Sequence, residues 1–303
     1  MADVRPFDFL VVGANRCGTT SLWRALDSHP EVRVPSDKER EFFSSDERYE
    51  RGLEHYVRRT FPDLRDGEAI GTVTPQLMSP HPHELRTNVE RIHATCPEVR
   101  LIALLRDPID RCVSQLRRMK KISHGKEETF DEFIERVAAK RGGIDKIPLV
   151  LASDYGRILR RYYEAFPKDQ IRVFFTADLD RDPATLYRQV FEHIGVDPTH
   201  DPGTPRVHQG GLKQRVSQEA LDELQAELDR RGLLPEDENT RRGFAWWLRH
   251  LWNTEPDQQG TEISEDLRRR LAERYLADAE VLEGLIEVEP SWLGSLRVAV
   301  SER

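Results

Sequence analysis

The sequence predicts an α/β fold in which helices cover a central parallel sheet and a helical appendage follows at the C-terminal end. Continuous apolar runs, rather than alternating ones, are typical of strands that are buried on both faces. Amphipathic segments separate these runs along the chain, as the crossovers between parallel strands require. Beyond Ala184 the pattern is helical throughout, which predicts the appendage.

The predicted strands are rich in Val, Ile, Leu and Phe. They are Phe7–Gly13, Ala69–Val73, Val99–Leu105 and Ile171–Thr176. The predicted helices of the α/β part are Thr19–Leu26, Tyr49–Arg59, His83–Ala94, Ile109–Met119, Phe130–Lys140 and Leu151–Phe166. Those that follow are Ala184–Ile194, Gln218–Arg230, Phe244–Leu251 and Leu267–Leu285. We expect one domain over residues 1–303, with an α/β core in about 1–200 and a mostly helical part in about 201–303.

Composition excludes several classes of function. The 303 residues carry 46 basic and 54 acidic side chains, a net charge of −8, which argues against nucleic acid bound through a broad basic face. No apolar run approaches the ~20 residues of a membrane span. Cys17, Cys96 and Cys112 are too widely spaced for a thiolate zinc site or a disulfide framework. We therefore expect a cytoplasmic, reduced protein.

The segment Gly13–Ser21, between the first strand and the first helix, has the character of a phosphate-binding loop. Its glycines let the chain turn, and the N–H groups and dipole of the following helix attract an anion. The spacing matches a Walker A loop, but Thr19 stands where that loop has Lys, and the basic side chain is Arg16 instead. A plain strand-turn-helix is the alternative interpretation. Cys17 at the helix N-terminus is expected to have a lowered thiol pKa.

A second motif follows the third predicted strand. Arg106 ends the strand, Pro108 begins a helix, and Ser114 lies on the second turn of that helix. Arg offers a bidentate fork to a phosphate and Ser a hydroxyl donor. The alternative is a surface Arg and an ordinary helical Ser. Because ligands gather at the carboxyl ends of parallel strands, we expect both motifs to face one crevice.

The two motifs resemble those of sulfotransferases that use 3′-phosphoadenosine 5′-phosphosulfate (PAPS). The resemblance implies a P-loop-like three-layer sandwich, transfer of a sulfuryl group to an acceptor hydroxyl, and release of 3′,5′-phosphoadenosine (PAP), with no metal. The implied ligands of the 5′-phosphosulfate are Arg16, Cys17, Gly18, Thr19, Thr20 and Ser21. Those of the 3′-phosphate are Arg106 and Ser114. Lys213 and Arg215 are candidates to close over the 3′-phosphate.

The segment Lys38–Phe43 is similar to the Lys-Glu-x-x-Phe-Phe pattern of the glycan-type members of that family. This likeness implies that Glu39 is the general base, while Arg16 neutralises the bridging oxygen as the sulfuryl group leaves. Glu39 also lies in a run of five charged residues, and such runs usually face water. Where glycan-type enzymes have Lys before Ser/Thr-Pro, this chain has Val73.

The acceptor remains open at this point: a small molecule, a glycan or a lipid that carries a hydroxyl. Its predicted contacts are Lys38, Thr74 and His81, and His81 is an alternative base. Two other functions also remain open, a P-loop nucleotide kinase or NTPase and a non-catalytic nucleotide-binding protein of the same fold. The basic cluster that includes Arg117 and Arg118 is expected to be a solvated helix end, with contact to an anionic acceptor as the alternative.

Overall fold

The computed structural model describes residues 6–38, 41–123, 128–203 and 262–301, apart from the side chains of residues 120–123. The predicted α/β class is confirmed. Its five strands are β1 (Phe9–Gly13), β2 (Val32–Arg33), β3 (Ala69–Val73), β4 (Arg100–Leu105) and β5 (Ile171–Phe175). They form one sheet in the order β2-β3-β1-β4-β5, and every pairing is parallel.

Helices flank this sheet. They are α1 (Thr19–Asp27), α2 (Asp46–Glu50), α3 (Leu53–Thr60), α4 (Pro82–Thr95), α5 (Pro108–Ser123), α6 (Phe130–Arg141), α7 (Pro148–Leu151), α8 (Tyr155–Ala165), α9 (Thr176–Arg181), α10 (Pro183–Ile194), α11 (Glu265–Leu285) and α12 (Leu293–Ser301). The predicted helices at 218–230 and 244–251 lie outside the described residues.

The central strand β1 is fully buried because it has a neighbour on each side and helices on its faces. All five of its residues are buried, and so are those of β3. Gly71 on β3 is required by close packing, since a Cβ there would lie 2.5 Å from the Phe9 carbonyl oxygen. This close packing fixes the positions of the strand ends relative to one another, and therefore also those of the loops after β1 and β4.

Two predicted helices are each divided in the structure. The segment 49–59 falls into α2 and α3 because Gly52 takes a positive φ of 85° between them. The segment 151–166 is interrupted at Ser153 and Asp154, between α7 and α8. The long helix α11 packs on α8 and α5, and α12 packs on α11.

A candidate anion-binding cleft at the strand ends

The loop after β1 is held rigidly against the ends of its neighbours. The Ala14 N–H donates to the Leu104 carbonyl at 2.8 Å. The Thr176 hydroxyl lies 2.8 Å from the Cys17 carbonyl oxygen and 3.0 Å from that of Leu105. Gly18 has φ of 93°, and a Cβ there would come within 2.9 Å of a Leu179 methyl carbon. Both the conformation and the space therefore require glycine at this position.

The loop presents unsatisfied backbone donors at the start of α1. Gly18 is the N-cap, and no side chain caps the helix. Ser21 is the first residue of this turn whose N–H has a protein acceptor, and it donates to the Gly18 carbonyl at 2.9 Å. Within the described ranges, the N–H groups of Gly18, Thr19 and Thr20 have no such acceptor. Free amides at a helix N-terminus form an anion-binding site.

The second motif is shaped by its aspartate. The Asp107 carboxylate accepts hydrogen bonds from the N–H groups of Ile109, at 2.9 Å, and Asp110, at 3.0 Å, and so caps α5. Arg106 precedes this cap, with its guanidinium 3.7 Å from the Asp110 carboxylate and one third of its side chain exposed. The cap directs the chain so that Arg106 and Ser114 both line the cleft.

The two motifs meet in space, as expected for loops at the carboxyl ends of neighbouring parallel strands. The Arg16 Nε donates to the Ser114 hydroxyl at 3.2 Å, although 98 residues separate them. Arg16 takes a φ of 71°, which is uncommon for a residue with a Cβ. One cleft of about 1070 Å³ contains both motifs.

This cleft is strongly cationic in a chain of negative net charge. Among its described lining residues, the cations are Arg16, Lys38, Arg106, Arg111, Arg118 and Arg141, and the only carboxylate is Asp180. Desolvation lowers the pKa of Arg16, and the positive charges of Arg118, Arg106 and Arg111 lower it further. The cleft therefore concentrates the field that a polyanionic ligand requires.

Arg111 is a feature of the cleft that sequence reasoning missed. Its side chain is buried, with 1% exposure, yet the residue lines the cleft. Its Nε donates to the Ser153 hydroxyl and its Nη2 to the Leu149 carbonyl, which joins α5 to α7. No carboxylate of the described chain lies within ion-pair distance of it. The sequence signal that could have placed Arg111 in the cleft was its position three residues before Ser114, because residues i and i+3 share a helix face.

A buried guanidinium without a counter-charge is costly, and a bound anion offsets that cost. We therefore expect Arg111→Met to weaken PAP binding about 10-fold or more, as loss of a charged partner does. The affinity of PAP is measured by titration and compared with that of adenosine. Arg111→Met loses both hydrogen bonds, to Leu149 of α7 and to Ser153 just after it, so adenosine serves as the control for structural damage. An equal loss for both ligands would assign Arg111 to structure alone.

Some of the other predicted site residues line the cleft and others do not. Lys38, Thr19, Thr20 and Ser21 line the cleft. Arg118 lines it too and is exposed, as predicted for the basic cluster, although it lies within α5 rather than at its end. Thr74 is buried, its hydroxyl donates to that of Thr72 at 3.3 Å, and it is not among the lining residues. His81 is exposed beside Pro80, which does line the cleft. The predicted residues Glu39, Lys213 and Arg215 lie outside the described residues.

The expectation of a lowered Cys17 pKa is wrong. The thiol is fully buried beneath the loop, 3.6 Å from the Tyr155 hydroxyl, and this burial raises its pKa. Desolvation of the thiolate outweighs the helix dipole because the side chain points away from the cleft. Cys17 therefore contributes its backbone and its packing to the loop.

The described residues contain neither a metal-binding cluster nor a helix that could span a membrane. In residues 6–38, 41–123, 128–203 and 262–301, no group of three or more His, Cys, Asp or Glu side chains is placed to hold a metal ion. Within the same ranges, none of the helices combines the length and the apolar character of a membrane span.

Curated proteins similar to this chain include two sulfotransferases. Heparan sulfate glucosamine 3-O-sulfotransferase 6 of Homo sapiens is 37% identical over 191 residues, which are 62% of this chain and 52% of that protein. The membrane-associated sulfotransferase kil1 of Dictyostelium discoideum is 34% identical over 110 residues, 36% of this chain and 22% of that protein. The chain thus matches about half or less of the length of these relatives.

A solved structure shares the fold. The crystal structure of a sulfotransferase from Alicyclobacillus acidocaldarius matches with a TM-score of 0.55 at 23% identity, and the match covers 80% of this chain and 96% of that one. The profile of the sulfotransferase domain matches residues 6–225, which include the loop after β1, the Arg106–Ser114 motif and the whole sheet. This chain is a member of the PAPS-dependent sulfotransferase family.

Proposed function

We propose that this protein transfers a sulfuryl group from PAPS to a hydroxyl of an acceptor. The observation that carries the proposal is the joining of two anion sites in one cleft. The free amides of Gly18 to Thr20 form one site and Arg106 with Ser114 the other, and the Arg16–Ser114 hydrogen bond at 3.2 Å connects them. A nucleotide with phosphates at both its 5′ and 3′ positions is the ligand that uses both sites.

The chemistry requires little beyond positioning and charge neutralisation. The acceptor oxygen attacks sulfur, the bond from sulfur to the bridging oxygen breaks, and that electron pair stays on the 5′-phosphate of PAP. Sulfuryl transfer resembles phosphoryl transfer in having a loose transition state, so donors aimed at the leaving oxygen contribute most of the acceleration. Arg16 and the Thr19, Thr20 and Ser21 hydroxyls are the groups that we assign to this role.

The acceptor proton needs a base, and we assign Glu39. Lys38, the residue before it, lines the cleft. Phe42 and Phe43, which follow, are buried, and both rings pack on Phe7 with centroids 6.2 and 5.8 Å away. Core anchors on one side and a cleft residue on the other explain the Lys-Glu-x-x-Phe-Phe pattern physically. A positioned base adds about 10²–10⁴-fold to such a reaction.

The two alternatives differ from this proposal in what binds and what turns over. A P-loop kinase uses a Walker A lysine and Mg²⁺ on its nucleotide, and this loop has Thr19 at the lysine position. A non-catalytic protein of the same fold would bind PAP but would not release it from PAPS.

Thermal unfolding with nucleotides tests the proposal directly. We expect PAP to raise the melting temperature without Mg²⁺, whereas ADP and ATP do so weakly, because a ligand at 100 times its Kd adds about 2.7 kcal/mol to the native state. Arg106→Ala is expected to weaken PAP about 10- to 100-fold through the loss of a charge-assisted hydrogen bond. Arg172→Ala, on exposed β5 surface away from this cleft, is the matched control.

Stabilisation by ATP that requires Mg²⁺, with no effect of PAP, would contradict the proposal and favour a kinase. A PAP shift that is equal in wild type and Arg106→Ala would instead remove Arg106 from the donor site.

We also propose that the protein works in a reducing compartment, the cytoplasm. Cys17, Cys96 and Cys112 are all free thiols buried in the core, and this arrangement supports the proposal. Fractionation of cells that express the tagged protein tests it, and recovery in a membrane or secreted fraction would contradict it.

A further inference from the structure

One side of the cleft is apolar, and the donor chemistry does not explain it. We call this side the apolar wall; it consists of Met119, Phe133, Val137, Pro148 and Leu149. All five side chains are only partly buried, so each leaves apolar surface facing the cleft. Phe133 and Val137 are four residues apart on α6 and therefore share one helix face.

Part of the wall is held close to the segment that follows β3. The Arg157 Nη2 donates to the Pro80 carbonyl at 3.1 Å and to the Leu151 carbonyl at 3.4 Å, which fixes α7 beside the segment that follows β3. Lys38 lines the cleft together with Pro80. The β5 side is formed instead by Thr176, Leu179 and Asp180. Helix α7, which carries Pro148 and Leu149 of the wall, therefore lies beside Pro80, and Lys38 and Pro80 line the same cleft as the wall.

The cleft is not restricted to the two proposed phosphate sites. It measures about 1070 Å³, at the upper end of the ~300–1,000 Å³ that is typical of small-molecule sites. The residues of both phosphate sites and of the apolar wall line this one cleft.

The lysine that glycan-type enzymes have before Ser/Thr-Pro is absent here. Val73 stands at that position, and it is 1% exposed, so it supplies neither charge nor contact. Arg118 and Arg141 line the same cleft, and the Arg136 guanidinium lies 5.2 Å from the centroid of the Phe133 ring, so cations flank an apolar surface. Partly exposed apolar side chains gain most from an apolar ligand, because they leave water when it binds.

We propose, on the basis of the proposed function, that the acceptor is an alcohol with an apolar body, and that this body binds against the apolar wall. The hydroxyl then lies toward Lys38 and the sulfuryl group, and the hydrocarbon part covers Phe133, Val137 and Leu149. The class includes lipid-like and polyketide-like alcohols, and it excludes sulfated glycans as the preferred acceptor.

Isothermal titration of the PAP-saturated chain tests the class. Hexyl β-D-glucoside and methyl β-D-glucoside differ only by five methylenes, so we expect the hexyl compound to bind at least 10-fold more tightly. Val137→Asp is expected to remove most of this preference and to leave the PAP thermal shift unchanged. Val298→Asp, at an exposed valine on α12 outside the cleft, is the matched control and should keep the preference.

Equal or unmeasurable affinity of the two glucosides would overturn the proposal, and so would a preference that survives Val137→Asp. Tighter binding of an N-sulfated heparan hexasaccharide than of hexyl glucoside would overturn it as well. Repeating the titration without nucleotide distinguishes failure of this proposal from failure of the proposed function. If PAP produces no thermal shift in the wild type, the proposed function fails, whereas the hexyl preference can still be measured.

Discussion

Replacing Arg16 with alanine is expected to lower the kcat for release of PAP from PAPS about 100- to 1000-fold, the cost of removing one preorganised donor from a leaving oxygen. The Arg16 guanidinium lies at the junction of the two phosphate sites, with its Nε 3.2 Å from the Ser114 hydroxyl. Charge on the bridging oxygen develops only as the sulfuryl group leaves. The interaction is therefore stronger in the transition state than with bound PAPS, and kcat should fall more than affinity.

PAP release is the appropriate measurement because PAP forms whichever hydroxyl compound accepts the sulfuryl group. Arg16→Lys restores the charge without the planar fork and should recover part of the rate. Arg106→Ala is the contrasting variant, since it should raise the KM for PAPS more than it lowers kcat. If Arg16→Ala raised KM and left kcat within twofold of wild type, Arg16 would be a binding residue only.

Replacing Gly156 with alanine is expected to destabilise the protein by about 3 kcal/mol or more, the upper range for overpacking. A Cβ at Gly156 would lie 2.3 Å from the Asp278 carbonyl oxygen and 2.8 Å from the Leu282 nitrogen. These are backbone atoms of α11, which cannot move without separating α11 from α8. The Gly156 N–H also donates to the Asp278 carboxylate at 2.8 Å, so this contact would be disturbed too.

Thermal unfolding measures this effect, and a loss of about 6 °C or more is expected for a domain of this size. Gly284→Ala is the control, because it makes the same change on α11 at a position where a Cβ meets no atom within 4 Å. Alanine is the better helix former, so Gly284→Ala should leave the melting temperature unchanged or raise it slightly. Similar melting temperatures for the two variants would show that α8 and α11 are not packed as closely as described.

The strands of the sheet could be predicted from the sequence because burial on both faces leaves a continuous apolar run. The predicted Phe7–Gly13 and Val99–Leu105 differ from β1 and β4 by only one or two residues at their starts. β2 was missed because it consists of Val32 and Arg33 alone, too short to produce a pattern. Because β2 lies at the edge of the sheet and pairs only with β3, a short strand is sufficient at this position.

The break between α7 and α8 and the apolar part of the cleft depend on distant contacts that local sequence does not encode. The end of α7 is stabilised by Arg111, whose guanidinium binds Ser153 from 42 residues away. The proposed phosphate sites were predictable because each is a local strand-turn-helix motif. The place of Phe133 and Val137 in the cleft was not, because a helical apolar stripe predicts core packing equally well. Only the position of α6 in the fold shows that both residues also line the cleft.

The crowding of like charges around Arg16 has a consequence for the medium in which the protein is handled. Arg106, Arg111 and Arg118 lower the pKa of Arg16 because their charges repel its own. Small tetrahedral anions such as sulfate and phosphate relieve that repulsion, and they fit the same amides and guanidinium groups as the nucleotide. A phosphate buffer therefore acts as a competitor and as a stabiliser at once. Nucleotide affinities that are measured in phosphate buffer therefore report the replacement of bound phosphate by the nucleotide, not the binding of the nucleotide to an empty site.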